Sequence, residues 1–297
     1  MKTKIENQVA ITMIRIIAAL VVVILAFLLG DILIAGVPHI SWHFLTAPSE
    51  SFTSGGRFGV QLFNSIYLLI LTLIISFPIS LGAGIFLAEY APKNSLTAIV
   101  RMSIEVLSSL PSVVVGLFGF LLFVVQLNMG FSILSGAIAL TFFNLPLLTR
   151  NIEESLSAVP NLQQEAGMAL GLSKWRTVTR IILPEALPGI ITGVVLGAGR
   201  VFGEAAALIY TAGQSATNID FTQWNPFNET SPLNMMRPAE TLAVHIWKIN
   251  SEGVMPDAKA VSAGSSAVLI IAVLFFNLLA RILGNALYRK LTATKAR

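Results

Sequence analysis

The 297-residue chain contains no cysteine, which excludes disulfides, thiolate nucleophiles and cysteine-ligated zinc and leaves its redox compartment unreadable. It is also poor in charge. Asp, Glu, Lys and Arg make up 11% of residues, against 55% hydrophobic residues and a mean hydropathy of +0.79. A soluble domain carries roughly a quarter charged residues, so an ordinary water-exposed surface is excluded. Histidine occurs three times, and neither a His-Glu-x-x-His run nor a pair of catalytic carboxylates is present. The reading is therefore of no enzyme, with no catalytic and no metal residues. No Gly-x-x-x-x-Gly-Lys-Ser/Thr occurs, so the chain lacks the usual loop for ATP phosphates. No basic stripe with interleaved aromatics is present either, and nucleic acid is not an expected partner.

What the chain has instead is long apolar runs. Residues 58–88, 106–149 and 260–280 contain no charged side chain, over 31, 44 and 21 positions. A helix of about 20 apolar residues crosses a ~30 Å hydrocarbon core. The pattern predicts an all-α membrane protein with six transmembrane helices, at about 13–37, 59–88, 97–126, 131–150, 186–213 and 262–288. As one helix the longest run would extend ~66 Å, so it must fold back. Gln126-Leu127-Asn128-Met129-Gly130 is its one polar, turn-prone break. Lys2, Lys4 and Arg15 around the start of the apolar stretch 16–30 look superficially like a signal peptide. With a multispan body behind them, an uncleaved anchor is the expectation.

Cations set the orientation. With the N-terminus inside, 14 of the 19 Lys and Arg fall on the cytoplasmic side. They are Lys2, Lys4, Arg15, Lys93, Arg101, Arg150, Lys174, Arg176, Arg180, Arg281, Arg289, Lys290, Lys295 and Arg297. Arg57, Arg237, Lys248 and Lys259 fall outside, and Arg200 lies within a span. Both termini are thus expected in the cytoplasm. The chain divides into a tail, first span and first outer loop (1–58), a five-helix core (59–288) and a tail (289–297). The core carries an inner loop (151–185) and a long outer loop (214–261). Four prolines and the aromatics Trp224, Phe227 and Trp247 make that outer loop a cover for the outer mouth rather than a free linker.

The inner loop carries the most specific signal. Asn161 with Gln164 predicts a capping box at a helix start, and Gly171 predicts its left-handed end. Ser173 can cap a second helix that Pro184 limits. Met168, Leu170, Leu172 and Trp175 are too apolar for a free surface, which marks a partner site. A helix lying on lipid wants a basic face, and 161–172 contains no Lys or Arg.

The loop reads Glu-Ala-x-x-x-x-Gly, nine residues, then Ile-x-Leu-Pro, on Glu165, Ala166, Gly171, Ile181, Leu183 and Pro184. This resembles the EAA loop of binding-protein-dependent ABC importer permeases, with Gly167 in place of the family's second Ala. The resemblance implies a type I ABC importer permease fold with a cytoplasmic coupling helix. Glu165, Ala166, Gly167, Met168, Leu170, Gly171 and Leu172 would then seat in a separate ATPase subunit. Leu110-Pro111-Ser112-Val113-Val114-Val115-Gly116-Leu117-Phe118-Gly119 resembles a signature of phosphate importer permeases. So does Gly199-Arg200-Val201-Phe202-Gly203-Glu204-Ala205, with Ala205 where the family has Thr. Segments 231–234 and 241–246 resemble the A-type phosphate permease subunit more than its C-type partner. The likeness runs from about residue 59 onward. It implies a heterodimer with a homologous second permease subunit, two cytoplasmic ATPases that bind the ATP, and an extracytoplasmic phosphate-binding protein meeting loops 38–58 and 214–261. The place is the plasma (inner) membrane of a prokaryote, multi-pass, with no cofactor in this chain. Permeases for molybdate, sulfate or amino acids share the docking loop, and an ion-coupled secondary transporter would need none.

Charges inside a bilayer mark partners or pathways. Treated as one helix, span five puts Gly189, Gly193, Gly197, Arg200 and Glu204 on one stripe about 80° wide. Two readings fit. Arg200 attracts a passing oxyanion while Glu204 accepts its proton, or the two form a salt bridge that fixes packing. Glu105 is expected to pair with Arg101 one turn earlier. His39 and His43 have a metal-compatible spacing but no third ligand.

Overall fold

The computed structural model describes residues 2–46, 58–215, 218–252 and 257–293. Arg57, Lys295, Arg297 and parts of both outer loops lie outside the described residues. The described chain is helical, with no strand. In order come α1 (Lys2–Gly36), α2 (Trp42–Thr46), α3 (Gly59–Ile85), α4 (Ser95–Ser108), α5 (Ser112–Gly119) and α6 (Ile133–Ser157). They are followed by α7 (Asn161–Ala169), α8 (Lys174–Thr177), α9 (Leu183–Phe202), α10 (Ala206–Thr211), α11 (Leu242–Glu252) and α12 (Ala258–Ala293). Five helical stretches are long and apolar enough to span a membrane, built on α1, α3, α6, α9 and α12.

The third expected span is not one helix. α4 and the stretch 112–126 meet at 96°. Pro111 is extended (φ −60°, ψ 136°) as the cap of α5; its ring denies the chain a helical hydrogen bond and keeps the preceding residue from helical geometry. The turn expected at 126–130 is present, with left-handed Asn128 (φ 51°) and Gly130 (φ 64°). Ser132 then caps α6, its hydroxyl accepting from the Ser135 N–H at 3.2 Å.

Span five departs from expectation at both ends. Pro184 does not limit a helix before it: α8 runs through a π-turn (Val178–Ile182) into α9, so residues 174–202 form one continuous rod. Pro184 lies inside that rod, two residues after the wide π-turn, where the Leu183 N–H reaches back to the Val178 carbonyl. At the other end α9 stops at Phe202, and Gly203, Glu204 and Ala205 break the helix before α10.

α6 is the centre of the bundle, held by α3 on one side and α9 on the other. α3 turns Gln61, Asn64, Ser65, Thr72, Ser76 and Ser80 inward and exposes Ile70, Ile74 and Ile79. Hydrocarbon gives no hydrophobic reward for burying isoleucine, so small and polar residues take the helix contacts. α9 meets α6 along its glycines. A Cβ on Gly193 would lie 2.8 Å from the Asn151 Cβ, and one on Gly197 would lie 2.8 Å from the Asn144 Oδ1. Leu140, Leu148, Ile152 and Leu156 complete the α6 core. α1 lies outside this bundle, packed on α12 where Gly36 meets Ala263 and Ala267.

Gly193→Val should therefore separate α9 from α6, lowering stability by about 1–3 kcal/mol, seen as a reduced melting temperature in detergent. Gly199→Ala is the control on the same helix, since its nearest neighbour would be 3.9 Å away. It should leave melting unchanged or slightly raised.

Candidate functional site

Three groups of residues stand out, one at the α7 end of the bundle, one where α9 breaks and one at the α11 end.

At the α7 end, the helix–corner–helix expected for 160–184 is present with one change. Asn161 is the first helical residue rather than the cap; Pro160 takes that position and makes no side-chain cap. Gln164 instead donates from Nε2 to the Glu89 Oε2 at 2.6 Å. Gly171 is left-handed (φ 80°). Around it the Leu172 N–H donates to the Gly167 carbonyl (3.2 Å) and the Gly171 N–H to the Met168 carbonyl (2.9 Å). These two bonds form a Schellman motif. Ser173 caps α8 as expected. Gly167 is buried, with Thr177 and Ile181 where a side chain would go, so α7 folds back tightly on the rod. Glu165, Ala166, Met168, Leu170 and Gly171 face outward and Leu172 is half-buried. Leu162 is 74% exposed and Leu170 82%. Trp175 is exposed beside them.

This corner is tied to α3. Lys174 donates to the Glu89 carbonyl, and its ammonium lies 4.8 Å from the centre of the Tyr90 ring. Arg101 of α4 bonds the Glu153 carboxylate at 2.7 Å and the Leu87 carbonyl at 2.9 Å. The expected Arg101–Glu105 pair does not form. Glu105 meets Arg150 at 3.2 Å, because α4 lies against α6 and its charges reach across rather than along.

The α9 break separates Arg200 from Glu204. Arg200 stacks on Phe143 of α6, its guanidinium carbon 3.7 Å from the ring centre. Glu204 lies beyond the helix, and its Oε1 accepts from the Ala207 N–H at 3.1 Å. Among the described residues no ion pair within 4.0 Å joins the two. The single-stripe geometry thus holds for the glycines and Arg200 and fails for Glu204. Both side chains are half-buried. The break also brings together segments far apart in sequence: a Cβ on Gly116 would lie 2.7 Å from the Ala207 Cα, and one on Gly119 would lie 2.9 Å from the Thr211 Cγ2. The glycines of 112–119 let α5 seat against α10.

The third group escaped sequence reasoning. Arg237 and Glu240, each 3% exposed, are clasped to α3 at the α11 end. Arg237 donates to the Asn64 Oδ1 at 2.8 Å, Asn64 donates to the Glu240 carbonyl at 2.9 Å, and Gln61 donates to the Glu240 Oε2 at 2.8 Å. His245 Nδ1 is 3.3 Å and Lys248 Nζ 3.8 Å from the Glu240 Oε1. Ser65 accepts from the Leu242 N–H at 2.8 Å. Desolvation lowers the Arg237 pKa to about 10, opposed by Tyr67 nearby. Nothing local marked these residues, since the clasp joins positions more than 170 apart. Among the described residues no cluster of three or more His, Asp or Glu could hold a metal.

Solved structures give the class. The chain superposes on the inward-facing MetNI methionine ABC transporter with a TM-score of 0.59 at 18% identity, covering 77% of this chain and 96% of that one. On a bacterial alginate ABC transporter the TM-score is 0.64 at 15% identity, covering 92% and 95%. The fold is that of type I ABC importer permeases. Residues 80–293 match the family of binding-protein-dependent transport system inner membrane components, and the chain belongs to that family. It is 52% identical over 293 residues to the probable ABC transporter permease protein YqgI of Bacillus subtilis, covering 99% of this chain and 100% of that one. It is 34% identical over 233 residues to the phosphate transport system permease protein PstA of Yersinia pestis (78% and 73%). A PstA of Xylella fastidiosa is 35% identical over 177 residues (60% and 62%).

Removing one member of a buried charge group strands the others. Glu240→Ala should cost about 3–5 kcal/mol and open the 218–241 segment to protease in membrane vesicles. Glu240→Gln, which keeps an acceptor for Gln61, should retain part of that protection.

Proposed function

We propose that this chain is the A-type transmembrane subunit of an ATP-driven importer for inorganic phosphate. It forms half of the translocation pathway with a homologous second permease subunit. Two cytoplasmic ATPases bind and hydrolyse ATP, and an extracytoplasmic phosphate-binding protein delivers the anion. The observation that carries docking is the Schellman corner with Leu162, Met168 and Leu170 exposed around it. On this reading 161–172 is the coupling helix, with Glu165, Ala166, Gly167, Met168, Leu170, Gly171 and Leu172 as its seat. Phosphate as substrate rests on the PstA relatives and on the 110–119 and 199–205 segments. The cation count sets the α7 end and both termini in the cytoplasm of a prokaryote, with the chain in its inner membrane.

Arg200 attracts the anion. Glu204, with Oε1 engaged by Ala207, has its other oxygen to accept the proton that phosphate carries and sulfate lacks. In support of this reading, Arg200 stacks on Phe143 and Glu204 accepts from the Ala207 N–H, and among the described residues no ion pair within 4.0 Å joins the two.

The test is ATP-dependent uptake of phosphate against sulfate by the assembled transporter in proteoliposomes. Phosphate uptake should dominate; equal or greater sulfate uptake would refute the substrate. Charge-assisted hydrogen bonds contribute about 1.5–3 kcal/mol, so Arg200→Gln should lower phosphate uptake about ten- to a hundredfold at unchanged assembly. Glu204→Gln should narrow the preference over sulfate. Gly171→Val forces a β-branched residue to positive φ, and should leave ATP hydrolysis running without uptake. Because the chain has no native cysteine, single cysteines report sidedness directly. Ser173→Cys should label from the cytoplasm and Asn228→Cys from outside; the reverse would overturn the orientation.

A further inference from the structure

α12 carries three polar residues at i, i+4 and i+8, Asn277, Arg281 and Asn285, near its α7 end. All three line one cavity of about 360 Å³ against α9, together with Thr192, Leu196 and Leu278. None of the three has a hydrogen bond or ion pair among the described residues. A polar stripe on a membrane helix without a protein partner needs one from its surroundings. Depth says which. The uncharged run 260–280 has 21 residues and spans ~31 Å, about one hydrocarbon thickness. Arg281 is the first charge past it, so it lies at headgroup level. Asn277 is one turn deeper, ~6 Å into the bilayer, where the ester carbonyls lie. Beside this cavity is a second, of about 580 Å³, whose lining is apolar and which shares Ile191 and Val195 with the first. Cation, then amide donor, then apolar wall is the order that matches the phosphate, ester and acyl chain of a phospholipid.

We propose that the α9–α12 groove binds an anionic phospholipid of the leaflet at the α7 end. Its phosphodiester meets Arg281 and Asn285, its ester carbonyl meets Asn277, and an acyl chain follows Leu196 and Leu278. The site is independent of the transported substrate; only the naming of that leaflet as cytoplasmic rests on the orientation proposed above. A single cation in an anionic leaflet adds about 1 kcal/mol to lipid attraction, which sets the scale of the effect.

The experiment uses the assembled transporter in nanodiscs of phosphatidylcholine. A trace of phosphatidylglycerol or phosphatidylcholine bearing an acyl-chain diazirine is added, and labelled peptides are mapped after illumination. Phosphatidylglycerol should label 188–196 and 277–285 in preference to phosphatidylcholine. Arg281→Gln should cut that preference about fivefold, Arg281→Lys should keep it, and millimolar inorganic phosphate should not compete. Assembly is checked by co-purification of the ATPase. If Arg281→Gln does not assemble, the headgroup preference of the unaltered protein still decides. Equal labelling by both lipids, labelling elsewhere, or cross-linking of Arg281→Cys to the second permease subunit would overturn the proposal.

Discussion

The contact between α6 and the glycine face of α9 is what the remaining helices are arranged around. Gly189, Gly193 and Gly197 bring the α9 backbone against Ser155, Asn151 and Asn144, with no side chain between. In hydrocarbon this closeness is the attraction, since lipid tails compete equally for any larger apolar side chain. With α9 fixed on one side of α6 and α3 on the other, Arg200 is carried over Phe143. After Phe202 the chain leaves the helix at Gly203, and the Glu204 carboxylate accepts from the Ala207 N–H at the start of α10. The position of Arg200 is thus a consequence of three small residues one to three turns away.

The two ends of the bundle are fastened by different physics. At the α11 end the clasp is buried and polar. Arg237, Glu240, Asn64 and Gln61 are linked by hydrogen bonds, while Arg237 Nε and Nη1 and Gln61 Oε1 are buried with no hydrogen-bond partner among the described residues. Such a group confers less stability than specificity: charges buried together fix one register of loop on helix, since any other would leave them bare. At the α7 end the fastenings are exposed. Arg101–Glu153 and Arg150–Glu105 are screened pairs of little individual strength. Their value is geometric, holding α4 across the ends of α3 and α6.

Much of this was legible in the sequence, and the parts that were not share a cause. Length and charge-free runs located the spans, because a bilayer allows few lengths. Gly171 and Ser173 announced the α7 corner through local backbone chemistry. The fold of 95–126 into two helices was also local, and Leu110-Pro111 was its signal; hydropathy alone joined the halves. Pro184 misled in the opposite direction, since the π-turn just before it carries the rod through the proline. The serines, threonine and glycine at 72, 76, 80 and 84 repeat every four residues and would have disclosed the inner face of α3. Nothing local could disclose the Arg237–Glu240 clasp. Arg237 counted only as a cation on the outer side, and its partners on α3 are an entire bundle away in sequence.

The exposed corner is joined to the buried core at Glu89 as well as through the rod. Glu89 accepts from Gln164 with its side chain and from Lys174 with its carbonyl. It lies in the π-turn Phe86–Tyr90 that ends α3, and the rod beyond α8 contains a second π-turn, Val178–Ile182. Wide turns of this kind hold one residue more than an α-helix would. α7 packs tightly on the rod, where Gly167 meets Thr177 and Ile181, and so is connected to α3 through Glu89 and to α9 through the rod itself. Both of these helices bear on α6. Their far ends differ: α3 is held there by the Arg237–Glu240 clasp, whereas α9 stops at Phe202 and the chain breaks at Gly203.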